Sequence, residues 1–406
     1  MSKEKVLLAL SGGLDTSFCA VYLAKEKNME VHSAVVNTGG FSAEEADQIE
    51  KQAKRLGVVS HSMIDVSDEY YTSCLRYLIY GNVLRNRNYP LSVSSERTFQ
   101  AIALAQYAAG MGINKIAHGS TGAGNDQVRF DLVFQVLTPG VEVLTPIRDL
   151  GLTRQQEIDY LAKEGIQMDA RKGTYSINQG LWGTSVGGKE TLTSDQELPQ
   201  EAYPSEVTRT GSEMISIGFE KGEPVSLNGK TLQPVELIRA LNELGSPWGI
   251  GRDVHVGDTI IGIKGRVGFE APAAHLLIDA HLALEKHVLT RWQMHWKEQI
   301  GNWYGMFVHE AQFLEPVMRD LEKFLSSTQQ QVSGEVFIRL RPYSHNVTGV
   351  KSPHDLMNPE FAAYGEKNLA WTAEDVKGFT KILGNQQHIW YRVNNKEFNQ
   401  DNSGKK

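Results

Sequence analysis

Ser11-Gly12-Gly13-Leu14-Asp15-Thr16-Ser17 separates an apolar run, Val6-Leu7-Leu8-Ala9-Leu10, from a segment, Phe18 to Lys27, whose pattern predicts a helix. The apolar run reads as a buried parallel strand. A Gly-Gly loop with three hydroxyls therefore stands between a strand and a helix N-terminus. Backbone N–H groups and the helix dipole favour bound phosphate at such a junction. The glycines let the backbone approach an anion closely, and Ser11, Thr16 and Ser17 add hydroxyl donors. No Gly-Lys-Ser/Thr follows at the required spacing, so this is not a Walker A loop.

Working outward, strand and helix signals alternate. Glu30 to Val36 reads as a second strand. Ser42 with Glu45 forms a capping box for a helix ending near Leu56, with Gly57 as its stop. Val58 to Asp65 reads as a third strand, Thr98 to Gly110 as helix, Lys115 to His118 and Val141 to Leu144 as further strands. Thr153 and Gln156 cap a helix that stops near Gly165. This alternation predicts an α/β nucleotide-binding domain over residues 1–167, with a parallel sheet covered on both faces. Ligands of such sheets bind beyond the carboxyl ends of the strands, where the Gly-rich loops fall.

The pattern changes near residue 170. Gly-rich segments around 178–188 and 249–268 alternate with strand-like runs such as Thr259-Ile260-Ile261-Gly262-Ile263. Ala274 to Asn302 reads as one long amphipathic helix whose Trp292, Trp296, Trp303 and Tyr304 suit a core or an interface. Ser326 to Gly334 reads as a polar loop, Gly334 to Leu340 as a strand, Thr372 to Leu383 as helix and Asn394 to Lys406 as a frayed tail. An α+β domain over 168–370 and a C-terminal oligomerisation helix and tail over 371–406 complete the expected organisation.

The 406 residues carry a net charge of −7 with 41% hydrophobic and 22% charged residues. That balance argues against nucleic acid as the main partner. Only Cys19 and Cys74 are present, in no CxxC arrangement, which fits a reducing compartment and predicts neither a zinc site nor a sulfur-transfer pair. The histidines show no HExxH spacing, and no metal site is expected. No apolar run reaches about 18 residues, so no membrane span is expected. Met1 to Lys5 leads straight into the first strand without a signal-peptide pattern. The expected setting is cytoplasmic.

A second Gly-rich segment, His118-Gly119-Ser120-Thr121-Gly122-Ala123-Gly124-Asn125-Asp126-Gln127-Val128-Arg129-Phe130, gathers an amide, a carboxylate, a hydroxyl and an arginine. Asn125 and Asp126 suit helix N-caps as well as ligand binding. Taken with Ser11 to Ser17, the segment resembles the argininosuccinate synthase family of the N-type ATP pyrophosphatase superfamily. That family carries SGGLDTS and HG-x-TG-x-GNDQVRF at these places. Further matches are Tyr89 with Ser94 and Arg97, Arg148 after Pro146, Tyr175-Ser176 with Ser185, Gly249-x-Gly251-Arg252, Gly262-x-Lys264-x-Arg266, Glu270-x-Pro272, Ser352-Pro353 and Trp371 to Phe379.

The resemblance implies ligation of citrulline to aspartate, driven by ATP and releasing AMP and diphosphate through a citrullyl-adenylate. It assigns Ala9, Leu10, Ser11, Gly12, Gly13, Leu14, Asp15, Thr16 and Ser17 to ATP, with Val36 at the adenine and Gly119 near the nucleotide. It assigns Thr121, Asn125 and Asp126 to aspartate. Tyr89, Ser94, Asn125, Arg129, Ser176 and Ser185 fall to citrulline, with Arg129 at its carboxylate. Asp126 and Arg97 fall in the catalytic centre. Mg²⁺ is implied as the companion of ATP, with Asp15 near it or acting as a cap. A homotetramer with exchanged C-terminal helices is implied as well.

The departures cluster at one end of the implied citrulline site. Gly257 stands where the family has a glutamate for the citrulline ammonium, Phe269 where it has a tyrosine, and Asn178 and Gly180 where it has Asp and Asn. The alternative substrate is therefore an N-acylated citrulline, unless Asp258 or another local carboxylate replaces the missing group. A tRNA thiolase or amidotransferase of the same superfamily is disfavoured by charge and by cysteine placement. A degenerate sensor is disfavoured by the intact loops.

Overall fold

The computed structural model describes residues 3–122, 124–167, 175–360 and 370–394. Met1–His354 forms one unit and Asp355–Lys406 another.

In the first unit, β1 (Lys5–Ala9), β2 (Glu30–Asn37), β3 (Ser60–Asp65), β4 (Lys115–Ala117) and β5 (Glu142–Leu144) form a five-stranded sheet in the order β3-β2-β1-β4-β5. Every pairing in it is parallel. Val6, Leu7 and Leu8 are fully buried, as the apolar run requires. The strand order reverses at β1, whose neighbours are β2 and β4. This switch point opens a crevice at the carboxyl ends of β1 and β4.

Helices α1 (Leu14–Lys25), α2 (Ala43–Arg55), α3 (Ser67–Tyr70), α4 (Arg76–Tyr80), α5 (Ser92–Met111), α6 (Asp126–Leu137), α7 (Pro146–Leu150) and α8 (Arg154–Lys163) accompany the sheet. The Ser42–Glu45 capping box is present, and Gly57 takes φ +81°. Two helices begin earlier than the sequence reading predicts. In α1, Thr16 and Ser17 read as loop residues, yet their hydroxyls donate to Gly13 O at 3.3 and 2.7 Å inside the first turn. In α5, Ser95 Oγ donates to the carbonyls of Leu91 and Ser92 at 2.8 and 3.0 Å.

After residue 175, β6 (Ser176–Asn178), β7 (Thr184–Gly187), β11 (Arg252–Asp258) and β12 (Lys264–Glu270) form a sheet ordered β11-β12-β7-β6. Between them in sequence, β8 (Glu213–Glu220), β9 (Glu223–Leu227) and β10 (Lys230–Thr231) join β13 (Gly334–Arg341) and β14 (Ser344–Lys351) in a second antiparallel sheet. Helices α9 (Pro234–Gly245), α10 (Pro272–Val288), α11 (Arg291–His309) and α12 (Pro316–Thr328) complete this unit. The strand-like Thr259–Ile263 run is instead a hairpin turn: Thr259 Oγ1 and Ile263 bond each other, and Gly262 takes φ +83°. The single helix expected over Ala274–Asn302 is α10 and α11, divided by a Thr290–Gln293 capping box. The polar loop expected from Ser326 begins only after α12 ends at Thr328.

A buried polar network joins the early helices to α10 and α11. Glu285 pairs with Lys297 at 2.8 Å and accepts from Asn82 at 2.7 Å and Gln329 at 2.9 Å. His281 bonds Asn82 and Gln329, and Lys297 also donates to the Tyr80 carbonyl. Each charged member is therefore compensated, as burial demands.

In the second unit, α13 (Ala373–Leu383) and α14 (Asn385–Asn394) have no buried residue. Thr372 caps α13 with Asp375. The expected tail lies almost wholly outside the described residues. No helix among those described is long and apolar enough to cross a membrane.

Candidate active site

The carboxyl end of β1 delivers the first loop into the crevice. Leu10 is buried and its N–H donates to Ala34 O at 2.9 Å, while Ala9 is half-buried and Ser11 exposed. Gly12 takes φ +78°, a conformation glycine adopts without strain. Gly13 is the extended N-cap of α1 and offers no side-chain oxygen to the first turn. The N–H groups of that turn are thus left for an anion. Gln52 of α2 braces the loop, donating to Gly12 O at 3.0 Å and Ser17 Oγ at 2.9 Å. Ser17 is fully buried in this brace, whereas Ser11 and Thr16 stay nearer the surface, their hydroxyls 3.3 Å apart. Leu14 packs under the loop, and Val36 is buried on β2.

The second loop lies on the first. A Cβ on Gly119 would stand 3.2 Å from Asp15 and Thr16 atoms, so a side chain there would push the two loops apart by a few tenths of an ångström. His118 anchors the loop base: Nδ1 accepts from Ser120 N–H at 3.3 Å, which places the proton on Nε2, 2.9 Å from Asp131. Arg148 holds the other Asp131 oxygen at 2.7 Å. Burial raises the Asp131 carboxyl, but His118 and Arg148 outweigh it and hold it below the usual range.

Beyond this base, Asp126 lies between two arginines. Arg97 Nε reaches Oδ2 at 3.0 Å and Arg129 Nη1 reaches Oδ1 at 3.1 Å. Burial acts against the carboxylate, yet the two guanidinium groups lower its pKa overall. Arg97 also donates to Gln100 and to Asn178 Oδ1 at 2.8 Å, joining α5 to β6. Arg129 is 4% exposed, and its Nε and Nη2 grip His309 O at 3.4 and 3.2 Å. One N–H on each terminal nitrogen remains for a carboxylate. Asn125 does not cap α6; its Oδ1 accepts from Ile260 N–H at 2.9 Å, at the β11–β12 turn. Thr121 is exposed beside it.

The sheet ordered β11-β12-β7-β6 supplies the opposite wall. Ser185 pairs with both Asn178 and Phe269, and Phe269 with Asp253. Side-chain alternation then sets Ser176, Asn178, Ser185, Phe269, Asp253, His255 and Gly257 on one face. Tyr89 meets that face, stacked on His255 at 4.8 Å and edge-on to Phe269 at 5.5 Å. Ser94 and Ser185 are buried near it, while Ser176 is exposed at the sheet margin. Tyr89, Ser185, Arg97, Arg129, Asn125 and Asp126 are therefore drawn together, with Thr121 and Ser176 at the periphery.

Several residues of this site carried no sequence signal. Gln52 acts through tertiary contact alone, as do His255 and His309. Glu96 is 2% exposed, immediately before Arg97 on α5, and one of its carboxyl oxygens has no partner among the described residues. Its burial was detectable, because Phe99 and Ala103 share its helix face at i+3 and i+7.

A glycine loop at the switch point of an all-parallel sheet, overlaid by a loop of amide, carboxylate and guanidinium groups, defines a nucleotide-binding α/β enzyme. Comparison with known proteins agrees in both halves. The family model described as Arginosuccinate synthase N-terminal HUP domain matches residues 5–167, and Arginosuccinate synthase C-terminal domain matches residues 175–390. Argininosuccinate synthase of Methanocaldococcus jannaschii is 36% identical over 387 residues, covering 95% of this chain and 97% of that protein. Argininosuccinate synthase of Xanthomonas campestris pv. campestris is 36% identical over 406 residues, covering 97% and 100%. The chain belongs to the argininosuccinate synthase family, carbon–nitrogen ligases of arginine biosynthesis.

Proposed function

We propose that this chain joins a citrulline-type ureido compound to aspartate, cleaving ATP to AMP and diphosphate through an adenylate of the ureido oxygen. The contact of Gly119 with Asp15 and Thr16 supports this reading, because it brings the Ser11–Ser17 loop and the His118–Phe130 loop into one crevice. The Ser11–Ser17 backbone holds the phosphates. Asn125 and Asp126 receive aspartate, with Thr121 at the margin. Arg129, Tyr89, Ser94, Ser176 and Ser185 receive the citrulline end. Arg97 orients Asp126. The work is positioning and charge stabilisation rather than proton abstraction by a strong base.

Mg²⁺ would accompany ATP and neutralise phosphate charge. Asp15, in the first turn of α1, would be its carboxylate beside the cradle. Glu157 bonds Asp15 as a neutral acid, because burial and then the Asp15 carboxylate push its carboxyl up to about 8. The domain division at 167/168 and 370/371 belongs to this reading, as does a cytoplasmic setting. A homotetramer does too. Trp292, Trp296 and Trp303 on α11 are 62%, 55% and 54% exposed, whereas Tyr304 is fully buried. Phe379 and Ile382 on α13 are 62% and 78% exposed. Such faces suit contact with further copies of the chain.

The test is product analysis with Mg-ATP, citrulline or its derivatives, and aspartate. Sustained formation of AMP and diphosphate is expected only when both amino-acid substrates are present. ADP and phosphate would overturn the adenylate mechanism.

A further inference from the structure

The three hydroxyls of the first loop do not share one task. Ser17 Oγ donates to Gly13 O at 2.7 Å and accepts from Gln52 Nε2 at 2.9 Å, so its proton is committed inside the fold. Ser11 and Thr16 keep the outer side of the loop, their hydroxyls 3.3 Å apart. Gln52 stands behind the loop on α2. Its amide nitrogen also donates to Gly12 O at 3.0 Å. A carbonyl can only accept, so it is the nitrogen of the Gln52 amide that faces Gly12.

That bond sets an orientation as well as a position. The Gly12–Gly13 peptide is trans and planar, with its carbonyl and N–H pointing to opposite sides. A Gly12 carbonyl held toward α2 therefore sends the Gly13 N–H the other way. There it lies 3.4 Å from Ser11 Oγ, on the exposed side of the loop. Gly13 N–H, Ser11 and Thr16 thus make one group of donors at the N-terminus of α1.

The peptide has no side chain of its own to hold it. Gly12 takes φ +78° and Gly13 φ −76° with ψ 174°, and a glycine pair passes between backbone states without a Cβ to oppose it. Among the described residues, Gln52 is the one donor to Gly12 O. Were this peptide to turn over, a carbonyl would face the anion in place of an N–H. The helix that carries Gln52 is firmly seated. Ile49, one turn earlier, is buried, as is Ala53, and the Ser42–Glu45 capping box fixes the helix start. Gln52 Oε1 and Ile49 Cγ1 would stand 3.2 and 3.3 Å from a Cβ on Gly12, so α2 lies directly against the loop.

We infer that Gln52 is a positioning residue of the ligation: it holds the Gly12 carbonyl away from the crevice, so that the Gly13 N–H, with Ser11 and Thr16, meets the terminal phosphates of ATP. This rests on the proposed ligase reading and adds to it the residue that orients the cradle. Gln52 acts from the far side of the peptide, through the loop backbone.

The experiment uses the full chain, with Kd for Mg-ATP and for Mg-diphosphate read by calorimetry and KM for aspartate read from turnover at saturating Mg-ATP. Gln52→Met keeps the length of the side chain and removes the donor. Both dissociation constants should rise by about tenfold or more, the loss of one hydrogen bond to a charged group, with KM for aspartate unchanged. Gln52→Ala removes the same donor by truncation and should show the same split, each variant being checked for folding by its melting temperature. Parent-like affinity for Mg-ATP in the folded variants would overturn the inference and leave the ligase reading standing. So would a loss confined to Mg-ATP and absent for Mg-diphosphate, or an equal loss for Mg-ATP and aspartate. A parent chain that forms no AMP, but whose Mg-ATP binding still depends on Gln52, would overturn the ligase reading alone.

Discussion

Gly180 and Glu96 occupy adjoining volumes: a Cβ on Gly180 would stand 1.7 Å from Glu96 Oε1 and 2.3 Å from its Cδ. The pair ties α5 to the segment that carries Asn178 and Trp182. Because Arg97 follows Glu96 and bonds Asn178, the fit also aligns the Arg97–Asp126 contact. Gly180→Ala is expected to cost about 1–3 kcal/mol by overpacking. In a Glu96→Ala background the same change should cost little. Urea denaturation of the double-mutant cycle measures the coupling, and equal costs in both backgrounds would refute the fit.

Glu96 also sets a pH dependence. Burial outweighs the attraction of Arg97 and raises its carboxyl to about 8. The folded pKa lies above an unfolded value of about 4.3, so the folded chain binds the proton more tightly. Its stabilising effect is complete below about 4.3 and is lost as pH rises from there through about 8, at up to about 1.4 kcal/mol per unit. Glu96→Gln should therefore gain stability relative to the parent across that window. Parallel denaturation curves at every pH would show that Glu96 titrates normally.

Gly13 separates folding from nucleotide binding. It has φ −76° and ψ 174°, and an added Cβ would meet only Ser11 Oγ at 3.4 Å. Gly13→Val should fold normally while its side chain blocks the triphosphate. A loss in kcat/KM for ATP of about 10²-fold or more is expected. Normal turnover in a folded variant would remove this loop as the cradle.

Asp126→Asn keeps the shape but removes the charge shared by Arg97 and Arg129. If Asp126 holds the aspartate ammonium, KM for aspartate should rise about 10- to 150-fold, from a charged hydrogen bond of about 1.5–3 kcal/mol. A lower melting temperature with unchanged KM would make Asp126 solely the link between α5 and α6.

Lys297→Met should cost about 3–5 kcal/mol, since Glu285 would remain buried without its cation. Adding Glu285→Gln should restore part of that loss. A melting temperature unmoved by Lys297→Met would mean that the network contributes nothing net.

The parallel sheet, the two loops and the Ser42 and Thr153 caps were legible because each depends on residues within one turn or one strand. Helix starts were less so. Thr16 and Ser17 read as loop residues and Ser95 lies before the expected helix start, but their hydroxyls turned inward onto carbonyls of their own first turns. The α10–α11 break had a local mark, Thr290 with Gln293, which the continuous amphipathic pattern masked. Thr259–Ile263 was apolar enough for a strand, but backbone closure at Gly262 made it a turn.

By itself the sequence determined the α/β class, the glycine loop between β1 and α1 and the family, because short-range patterns of glycine, hydroxyl and charge encode them. Only the tertiary structure decided what those groups face. Asp126 and Arg129 read equally well as cap and surface residue until α5 and His309 enclosed them. Gly257 read as a missing carboxylate until His255 was seen to fill its space. Such relationships join residues more than a hundred positions apart, and a local pattern carries no information about which distant side chains will share a wall.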